Sequence, residues 1–314
     1  MSDRIPDLMQ QLDVDRIRGT LHHLAEDPLP FRKANYALPG HDRSTLDEAD
    51  DFIQEMLEAS GYAVEKEGVA VQAYRCDETK PKSSQYSPPQ PEDPWYTAYN
   101  LYAKKVGETA PDEIIVVISH KDSQSWVDSP GANDNAVGTA TNLEIARVLA
   151  GYPNRRSLWF VYCNEEHTPW TSVTAAQNAR ERGDNIIAVF NLDSLGRKSD
   201  EDHAARITAN VTLFTTPEGE RLADLMAEVN DRYEIGLQQR KHQRTAPGDD
   251  DGSFVKAGYG AAIMNVGSYP YADPQYHAEG DTPGRVDLEN VLLTARASLA
   301  AIVSVDRGER AASG

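Results

Sequence analysis

The sequence contains little cysteine, no long apolar run and far fewer basic than acidic residues. Its 314 residues include 2 Cys, Cys76 and Cys163, which are too few for a disulfide framework and predict reduced thiols. The longest apolar runs have the length of a strand, so we expect no membrane-spanning helix. The opening residues, MSDRIPDLMQQLDVDRIRG, lack the apolar segment of a signal peptide. These absences together predict a cytoplasmic protein.

The charge balance is strongly acidic, with 31 Lys and Arg against 50 Asp and Glu and a formal net charge of −19. Nucleic acids and anionic membranes would repel such a surface, so we expect neither as a partner. The same charge draws metal cations and ammonium-bearing substrates toward a cleft. The composition, 39% hydrophobic and 26% charged, is ordinary for a globular protein, and the length is sufficient for a substantial core.

The central region of the sequence predicts buried strands that each end in acidic or imidazole side chains. Residues 114–119 (IIVVIS) run into His120, residues 157–163 run into Glu165-Glu166, and residues 186–192 run into Asp193. A helix is predicted over 136–150, after a loop that carries Asp134. Ligands of open α/β sheets bind beyond the carboxyl ends of the strands, so these side chains mark a candidate site.

The rest of the chain adds helices and strands around this centre. Residues 1–60 are predicted to be helical, 62–74 and 96–105 to be strands, and 77–94 to be a proline-rich surface loop. Further along we predict helices at 169–182, 219–233 and 287–303, strands at 211–215 and 261–266, and a polar loop at 238–252.

Each candidate ligand also has a purely structural interpretation when it is taken singly. Asp134 could cap the following helix, Glu165 and Glu166 could be a solvated pair, and His277 could be exposed in its loop. An unpaired carboxylate after a buried strand is costly, however, and a metal ion offsets that cost. Oxygen and imidazole ligands without thiolate suit Zn²⁺, Mn²⁺ or Co²⁺, and carboxylates can bridge two such ions.

The segments HKDS, PGANDNAVG followed by LEIAR, NEE, NLDSLG and YH occur in this order. Together they resemble the M28 family of metallopeptidases, the aminopeptidase-type di-zinc exopeptidases, from about Tyr62 to the last helix. The resemblance implies an α/β fold in which a mixed, mostly parallel twisted sheet of about eight strands is sandwiched between helices, the zinc-exopeptidase (phosphorylase/hydrolase-like) architecture. It also implies that residues 1–314 form a single M28-like peptidase domain, with the helical N-terminal segment, residues 1–60, packed on it.

The resemblance further implies two divalent metal ions, with Zn²⁺ as the favoured metal. Asp134 would bridge the two ions. His120 and Asp193 would complete one metal site, and Glu166 and His277 would complete the other.

Catalytic roles follow from the same resemblance. Glu165 would be the general base, Asp122 would orient His120, and Tyr276 would help to hold the oxyanion. Asp250, in GDDDGSF, is similar to the Asp of the family's Ser-Asp-His…Phe segment near the site.

The function implied is that of a metal-dependent exopeptidase. We expect an aminopeptidase that hydrolyses the N-terminal peptide bond of a peptide or aminoacyl substrate through a metal-activated water and a Glu general base. Carboxypeptidase, dipeptidase or glutaminyl-cyclase-like chemistry would use similar ligands, and a non-catalytic, metal-stabilised binding protein is a further alternative. Glu165 argues against that binder, because a pure binder needs no spare carboxylate beside its ligands. The sequence indicates no oligomeric state.

The chain departs from the family pattern at the rim of the expected site. The family commonly has Gly-Leu and then Gly-Ser after the two glutamates, where this chain has Thr168-Pro169 and Thr171-Ser172. The segment 123–130 lengthens the loop between the first His and the bridging Asp. Both changes bear on substrate preference, and Trp126 and Trp170 are candidates for the wall of a specificity pocket.

Overall fold

The structure, a computed structural model, describes residues 3–309. Its strands are β1 (Val64–Ala73), β2 (Arg75–Cys76), β3 (Tyr86–Ser87), β4 (Tyr96–Lys105), β5 (Ala110–His120), β6 (Arg156–Cys163), β7 (His167–Thr168), β8 (Asn185–Leu192), β9 (Ala209–Phe214), β10 (Gln238–Gln243) and β11 (Ala262–Val266). Its α-helices are α1 (Ile5–Gln10), α2 (Val14–Ala25), α3 (Thr45–Ala59), α4 (Val137–Ala150), α5 (Thr171–Arg182), α6 (Asp200–Ala204), α7 (Pro217–Arg232), α8 (Asp249–Lys256) and α9 (Leu288–Arg307).

Within the described residues, nine strands form one mixed sheet in the order β10-β9-β11-β8-β5-β6-β4-β1-β7. The four central strands, β11, β8, β5 and β6, are mutually parallel, and antiparallel pairings flank them on both sides. The sheet therefore has the mixed, largely parallel α/β architecture that the family resemblance implies. The ninth strand, β7, adds only two residues to the expected eight.

The central strand β5 is buried on both faces, which explains its uninterrupted run of Ile and Val. Ile115 and Val117 pack in one apolar cluster with helices α1, α2, α4 and α9, whereas Val116 and Ile118 pack in a second cluster with α5 and α8. Helices thus cover both sides of the sheet, as parallel strands require. The carboxyl ends of β5, β6 and β8 consequently meet in one crevice between the helical layers.

Helix ends follow the local sequence signals. Helix α3 begins with a capping box, in which the Ser44 hydroxyl accepts from the Asp47 amide and the Asp47 carboxylate accepts from the Ser44 amide. Asp287 caps the start of α9, with its side chain accepting from the Asn290 amide, and Gly183 caps the end of α5 in the left-handed conformation. These caps fix the lengths of the helices that flank the sheet.

Helix α9 is the one described helix that is long and apolar enough to cross a bilayer by length and composition. In the fold, 67% of its apolar window is buried against the other elements. Both cysteines are free, with Cys76 exposed in β2 and Cys163 buried in β6.

Three segments differ from the sequence-based expectation. The interpretation of 238–252 as a loop is wrong, because it contains edge strand β10 and the start of α8. The polar residues of β10 are almost all exposed, so no apolar alternation marks the strand. Helix α5 begins at Thr171, two residues after the predicted Pro169. The proline-rich segment 77–94 is also not wholly irregular, since it includes β3, which pairs with β2.

Candidate metal centre and active site

The predicted ligands converge on the crevice beyond the central strands. His120 is the last residue of β5, Glu166 follows β6, and Asp193 follows β8. Asp134 lies in the turn Ala132–Ala136 before α4, where its own backbone is not helical, and His277 lies in the loop after β11. All five side chains are buried. The topology therefore brings together residues that are up to 157 positions apart in the sequence.

Among the described residues, two groups of three side chains have the spacing of metal ligands: His120, Asp134 and Asp193, and Asp134, Glu166 and His277. We call them the first and the second cluster. In the first cluster, His120 Nε2 lies 3.1 Å from Asp134 Oδ1 and 3.7 Å from Asp193 Oδ2. In the second, His277 Nε2 lies 3.1 Å from Asp134 Oδ2 and 3.5 Å from Glu166 Oε1.

Asp134 belongs to both clusters and turns one carboxylate oxygen toward each histidine. A tetrahedral zinc ion lies about 2.0–2.1 Å from nitrogen and oxygen ligands, which places neighbouring ligand atoms about 3.3 Å apart. The distances around Asp134 are close to this spacing. The donor set is imidazole and carboxylate without thiolate, which suits zinc and similar divalent ions. Both clusters therefore have donor atoms and a spacing that fit a divalent cation, and Asp134 contributes one oxygen to each cluster.

Burial and like charge dominate the electrostatics of the two clusters. Burial raises the pKa of Asp193 to about 6, and the neighbouring His120 opposes that rise. Burial would lower the pKa of His120, but Asp193, Asp122 and Asp134 outweigh it and hold the pKa well above its usual value. The pKa of His277 is raised in the same way by Glu166 and Asp134. The crevice thus concentrates negative charge that attracts cations.

Asp122 contacts His120 of the first cluster and the backbone of the Glu165-Glu166 pair. Its Oδ1 faces His120 Nδ1 at 3.3 Å and accepts from the Glu165 amide at 2.9 Å. Its Oδ2 accepts from the Glu166 amide at 2.9 Å and pairs with His167 Nδ1 at 2.8 Å. Burial would raise the pKa of Asp122, but the contacts with His120 and His167 outweigh it and hold the pKa well below its usual range. Asp122 lies where it can orient His120, the role that the resemblance implies.

His167 was not among the site residues expected from the sequence. It is fully buried, and its Nε2 accepts from the Ala34 amide at 3.2 Å. The Nδ1 must then carry the proton and donate it to Asp122. In the sequence, His167 is marked only by its place directly after the Glu pair. Its role in orienting Asp122 becomes visible only from its contact with Ala34 in the N-terminal loop.

The proline-rich segment 77–94 supports the second cluster. His277 Nδ1 donates to the Ser83 carbonyl at 2.9 Å, which leaves Nε2 free to face Asp134 and Glu166. Tyr86, from the same segment, packs 5.2 Å from Trp126 and 6.0 Å from the His277 ring. The segment was predicted as a surface loop, and its composition gave no sign that it contacts a candidate ligand.

Beneath the clusters lies a buried cation, Arg32, which is 0% exposed. It donates to four carbonyl oxygens, those of Leu24, Lys121, Pro130 and Gly131, at 2.6–2.8 Å. Burial lowers its pKa to about 10. Arg32 therefore ties the end of β5 to the loop that leads to Asp134.

Asp281 holds Asp134 from another side. Its two carboxylate oxygens accept from the amides of Asn133 and Asp134 at 2.8 and 3.0 Å. Burial raises the pKa of Asp281 to about 7, and the two amide donors oppose that rise. The backbone on which Asp134 projects its side chain is thus fixed by long-range contacts.

Glu165 lines the same crevice but belongs to neither cluster. Its Oε2 is buried and has no hydrogen-bond partner among the described residues. Burial and the nearby Asp250 and Asp249 raise its pKa well above the usual value. Asp250 is fully buried and accepts from the Cys163 thiol at 3.0 Å. Glu165 therefore keeps one carboxylate oxygen available to exchange a proton with a molecule bound in the crevice.

A cavity of about 180 Å³ opens beside the clusters. Aromatic rings form much of its wall, and they come from Tyr74, Tyr86, Trp126, Trp170, Tyr271 and Tyr276. Asp249 also lines it, with its Oδ2 accepting from Arg244 Nη1 at 2.6 Å. Among residues 3–309, no Lys or Arg side chain lines this cavity. Trp126 and Trp170 thus do lie on the wall.

Tyr276 lies beside the second cluster, and its ring stacks on His277 with a centroid separation of 3.8 Å. Burial, followed by the negative charge of Asp134, raises the pKa of its hydroxyl well above the usual value. The phenol therefore keeps its proton near neutral pH and can act as a hydrogen-bond donor in the cavity.

Known proteins with similar sequences carry aminopeptidase and metalloprotease names. A probable aminopeptidase of Saccharomyces cerevisiae is 26% identical over 220 residues, which cover 66% of this chain and 57% of that protein. Leucine aminopeptidase 1 of Fusarium vanettenii is 23% identical over 313 residues, which cover 95% of this chain and 71% of that protein. The chain spans only 30% of a probable zinc metalloprotease of Pyrenophora tritici-repentis, which is 30% identical over 147 residues.

Solved structures share the fold over nearly the whole chain. The aminopeptidase from Aneurinibacillus sp. strain AM-1 has a TM-score of 0.72 and 16% identity, covering 96% of this chain and 95% of that one. The glutaminyl cyclase of Bacteroides thetaiotaomicron has a TM-score of 0.70 and 16% identity, covering 93% and 98%. At these identities the likeness establishes the fold alone.

The family model described as Peptidase family M28 matches residues 100–302, which is more than half of the chain. This range includes the segments from which the resemblance was inferred. The resemblance is therefore confirmed, and the chain belongs to peptidase family M28.

Proposed function

We propose that the chain is a metal-dependent aminopeptidase that hydrolyses the N-terminal peptide bond of peptide or aminoacyl substrates. Two divalent cations, with zinc favoured, would occupy the first and second clusters, held by His120, Asp134, Asp193, Glu166 and His277. The observation that carries the proposal is the position of Glu165. It lines the cavity beside both clusters, belongs to neither, and keeps one oxygen without a partner among residues 3–309.

The chemistry divides between the cations and the side chains. When bound, the cations would polarise the scissile carbonyl and make the attacking water more acidic. Glu165 Oε2 would take the proton from that water and deliver it to the leaving amine nitrogen. The Tyr276 hydroxyl would donate a hydrogen bond to the oxygen on which negative charge develops. Asp122 would hold His120 in position throughout.

The lining of the cavity favours the amino end of a substrate over its carboxyl end. A carboxypeptidase needs a cation to receive the terminal carboxylate, and the described lining contains neither Lys nor Arg. Asp249 is available for an ammonium group, since its side chain is 27% exposed while Oδ2 is bonded to Arg244. We propose that Asp249 and the surrounding negative charge select the free α-amino group.

The test is a panel of aminoacyl p-nitroanilides, each with a free and with an acetylated amino group. We expect hydrolysis of the free forms alone, complete loss of activity and a lower Tm after exhaustive chelation, and recovery of both with Zn²⁺. Elemental analysis should give about two metal ions per chain.

Other outcomes would overturn this assignment. Full activity in metal-free protein would contradict metal dependence. Release of the C-terminal residue from acetylated peptides would assign a carboxypeptidase. Cyclisation of N-terminal glutamine by protein with one zinc per chain would assign glutaminyl-cyclase-like chemistry instead.

A further inference from the structure

Gln124 is a fully buried residue in the loop between β5 and the turn that carries Asp134. Its amide nitrogen Nε2 lies 3.0 Å from Asp134 Oδ2 and 3.1 Å from Glu166 Oε1. These are the same two oxygens that face His277 Nε2 in the second cluster. Gln124 thus contacts both carboxylate ligands of one cluster through a single NH₂ group.

The orientation of this amide follows from its surroundings. Nε2 faces three acceptors, the two carboxylate oxygens and the Asp134 carbonyl at 3.2 Å, so both of its hydrogens can donate hydrogen bonds. The other end, Oε1, is buried without a hydrogen-bond partner among the described residues. Rotation of the amide would place an oxygen against three oxygens and would remove every one of these hydrogen bonds.

The backbone on both sides of Gln124 is anchored. Ser123 and Arg32 exchange two hydrogen bonds, from the Arg32 amide to Ser123 Oγ and from the Ser123 amide to the Arg32 carbonyl, both at 2.9 Å. Ser125 Oγ accepts from the Tyr74 amide at 2.9 Å, and the Ser125 carbonyl accepts from Asn35 Nδ2 at 3.0 Å. The loop therefore delivers Gln124 Nε2 to a fixed place between the two carboxylates.

Two buried carboxylates at one site repel each other unless a positive or donor group lies between them. An amide NH₂ that donates to both oxygens reduces this repulsion without adding a charge. It also uses only one lone pair of each oxygen, so that another lone pair remains for a cation. His277 contacts the same two oxygens, but as a candidate ligand it would have to turn its Nε2 to a bound cation. Gln124 is not a candidate ligand, so its hydrogen bonds to the two oxygens can persist when a cation binds.

We propose that Gln124 is a positioning residue of the second cluster, which holds Asp134 Oδ2 and Glu166 Oε1 at ligand spacing for the second cation. The inference rests on the proposed function, because it requires that a cation binds at the second cluster. It assigns the lengthened loop between His120 and Asp134 a definite role in metal binding, where the sequence pointed only to substrate preference.

The test is a stepwise titration of metal-free protein with Zn²⁺ against a competing chelator, comparing the wild type with Gln124→Leu. Leucine has a similar size and donates no hydrogen bond. We expect the second zinc affinity to fall by about 10–100-fold, the range typical of partners that orient metal ligands, while the first affinity stays within about threefold. Gln239→Leu, which removes an amide donor to Thr212 beside the edge strand β10, is the matched control and should change neither affinity.

The outcomes separate this inference from the proposed function. A wild type that binds a single zinc overturns the two-metal site and the inference with it. A wild type that binds two, together with a Gln124→Leu variant whose two zinc affinities match the wild type or fall equally, overturns the inference alone.

If Gln124→Leu does not fold, a zinc-loaded crystal structure of the wild type decides the question. The inference expects Gln124 Nε2 to remain within hydrogen-bonding distance of Asp134 Oδ2 and Glu166 Oε1. A rotated amide with Oε1 about 2.0–2.2 Å from the second zinc would make Gln124 a ligand and would overturn the donor role.

Discussion

The sharpest structural consequence concerns Asp122, because four hydrogen-bond donors converge on its buried carboxylate. Asp122→Asn replaces one oxygen by an NH₂ group. Oδ1 serves His120 and the Glu165 amide, whereas Oδ2 serves the Glu166 amide and His167. Either orientation of the new amide therefore sets a donor against two donors.

The magnitude follows from these contacts. A buried donor that loses its acceptor costs about 1–3 kcal/mol, so two lost acceptors should lower the free energy of unfolding by roughly 2–6 kcal/mol. This is a large fraction of the roughly 5–15 kcal/mol that is typical of whole proteins, and Asp122→Ala, which affects all four donors, should be worse. Because His120 also loses its orienting partner, zinc affinity at the first cluster should fall by about 10–100-fold.

Urea unfolding of metal-free wild type and Asp122→Asn measures the stability change, and zinc titration measures the affinity. Asp112→Asn is the control, since Asp112 is exposed near the start of β5 and should change stability by less than about 0.5 kcal/mol. A loss below about 1 kcal/mol for Asp122→Asn, with unchanged zinc binding, would refute the reasoning.

Three further predictions follow from the geometry. Asp134→Ala should abolish binding of both metal ions, whereas His277→Ala should weaken mainly one; metal analysis that finds two ions in Asp134→Ala would reduce that residue to a structural role. Glu165 must be deprotonated to act as a base, and its pKa is raised by burial and then by Asp250. Activity should therefore fall as the pH drops through this raised pKa, and Asp250→Asn should move the acid limb of kcat/KM to lower pH; an unmoved limb would contradict the coupling. Asp249→Asn should raise KM for free-amino substrates more than it lowers kcat, and an unchanged KM would remove its role in binding the amine.

The sequence was sufficient for the features of the site that depend on topology. His120 ends β5, Glu166 lies shortly after β6 and Asp193 directly follows β8. These three strands are buried, parallel neighbours in the sheet, so the strand pattern alone places the three side chains at one edge. The uninterrupted Ile and Val residues of β5 likewise predicted that both faces of this strand are buried. Cytoplasmic location and the absence of nucleic-acid and membrane partners stay predictions.

The remaining features depend on contacts between distant loops, and no local pattern encodes them. Gln124, His167 and Arg32 are polar residues outside the long strands and helices, and their roles arise only where those segments meet beneath the clusters. The Ser83 carbonyl supports His277 through its backbone, so its residue type carries no signal. The sequence pattern does not predict edge strand β10, because an exposed strand needs no apolar residues.

The central claim is that Glu165 moves the proton while Glu166 holds the metal. Their amides both donate to Asp122, yet Glu166 Oε1 faces His277 at 3.5 Å whereas Glu165 Oε2 has no partner among the described residues. Glu165→Gln preserves size but cannot accept a proton at neutral pH. The most direct measurement is the metal content and kcat of Glu165→Gln and Glu166→Gln side by side. We predict that Glu165→Gln keeps its full metal content while kcat falls by about 10²–10⁴-fold. Glu166→Gln should lose metal as well as activity. An active Glu165→Gln, or a loss of metal that follows Glu165 instead of Glu166, would contradict the account.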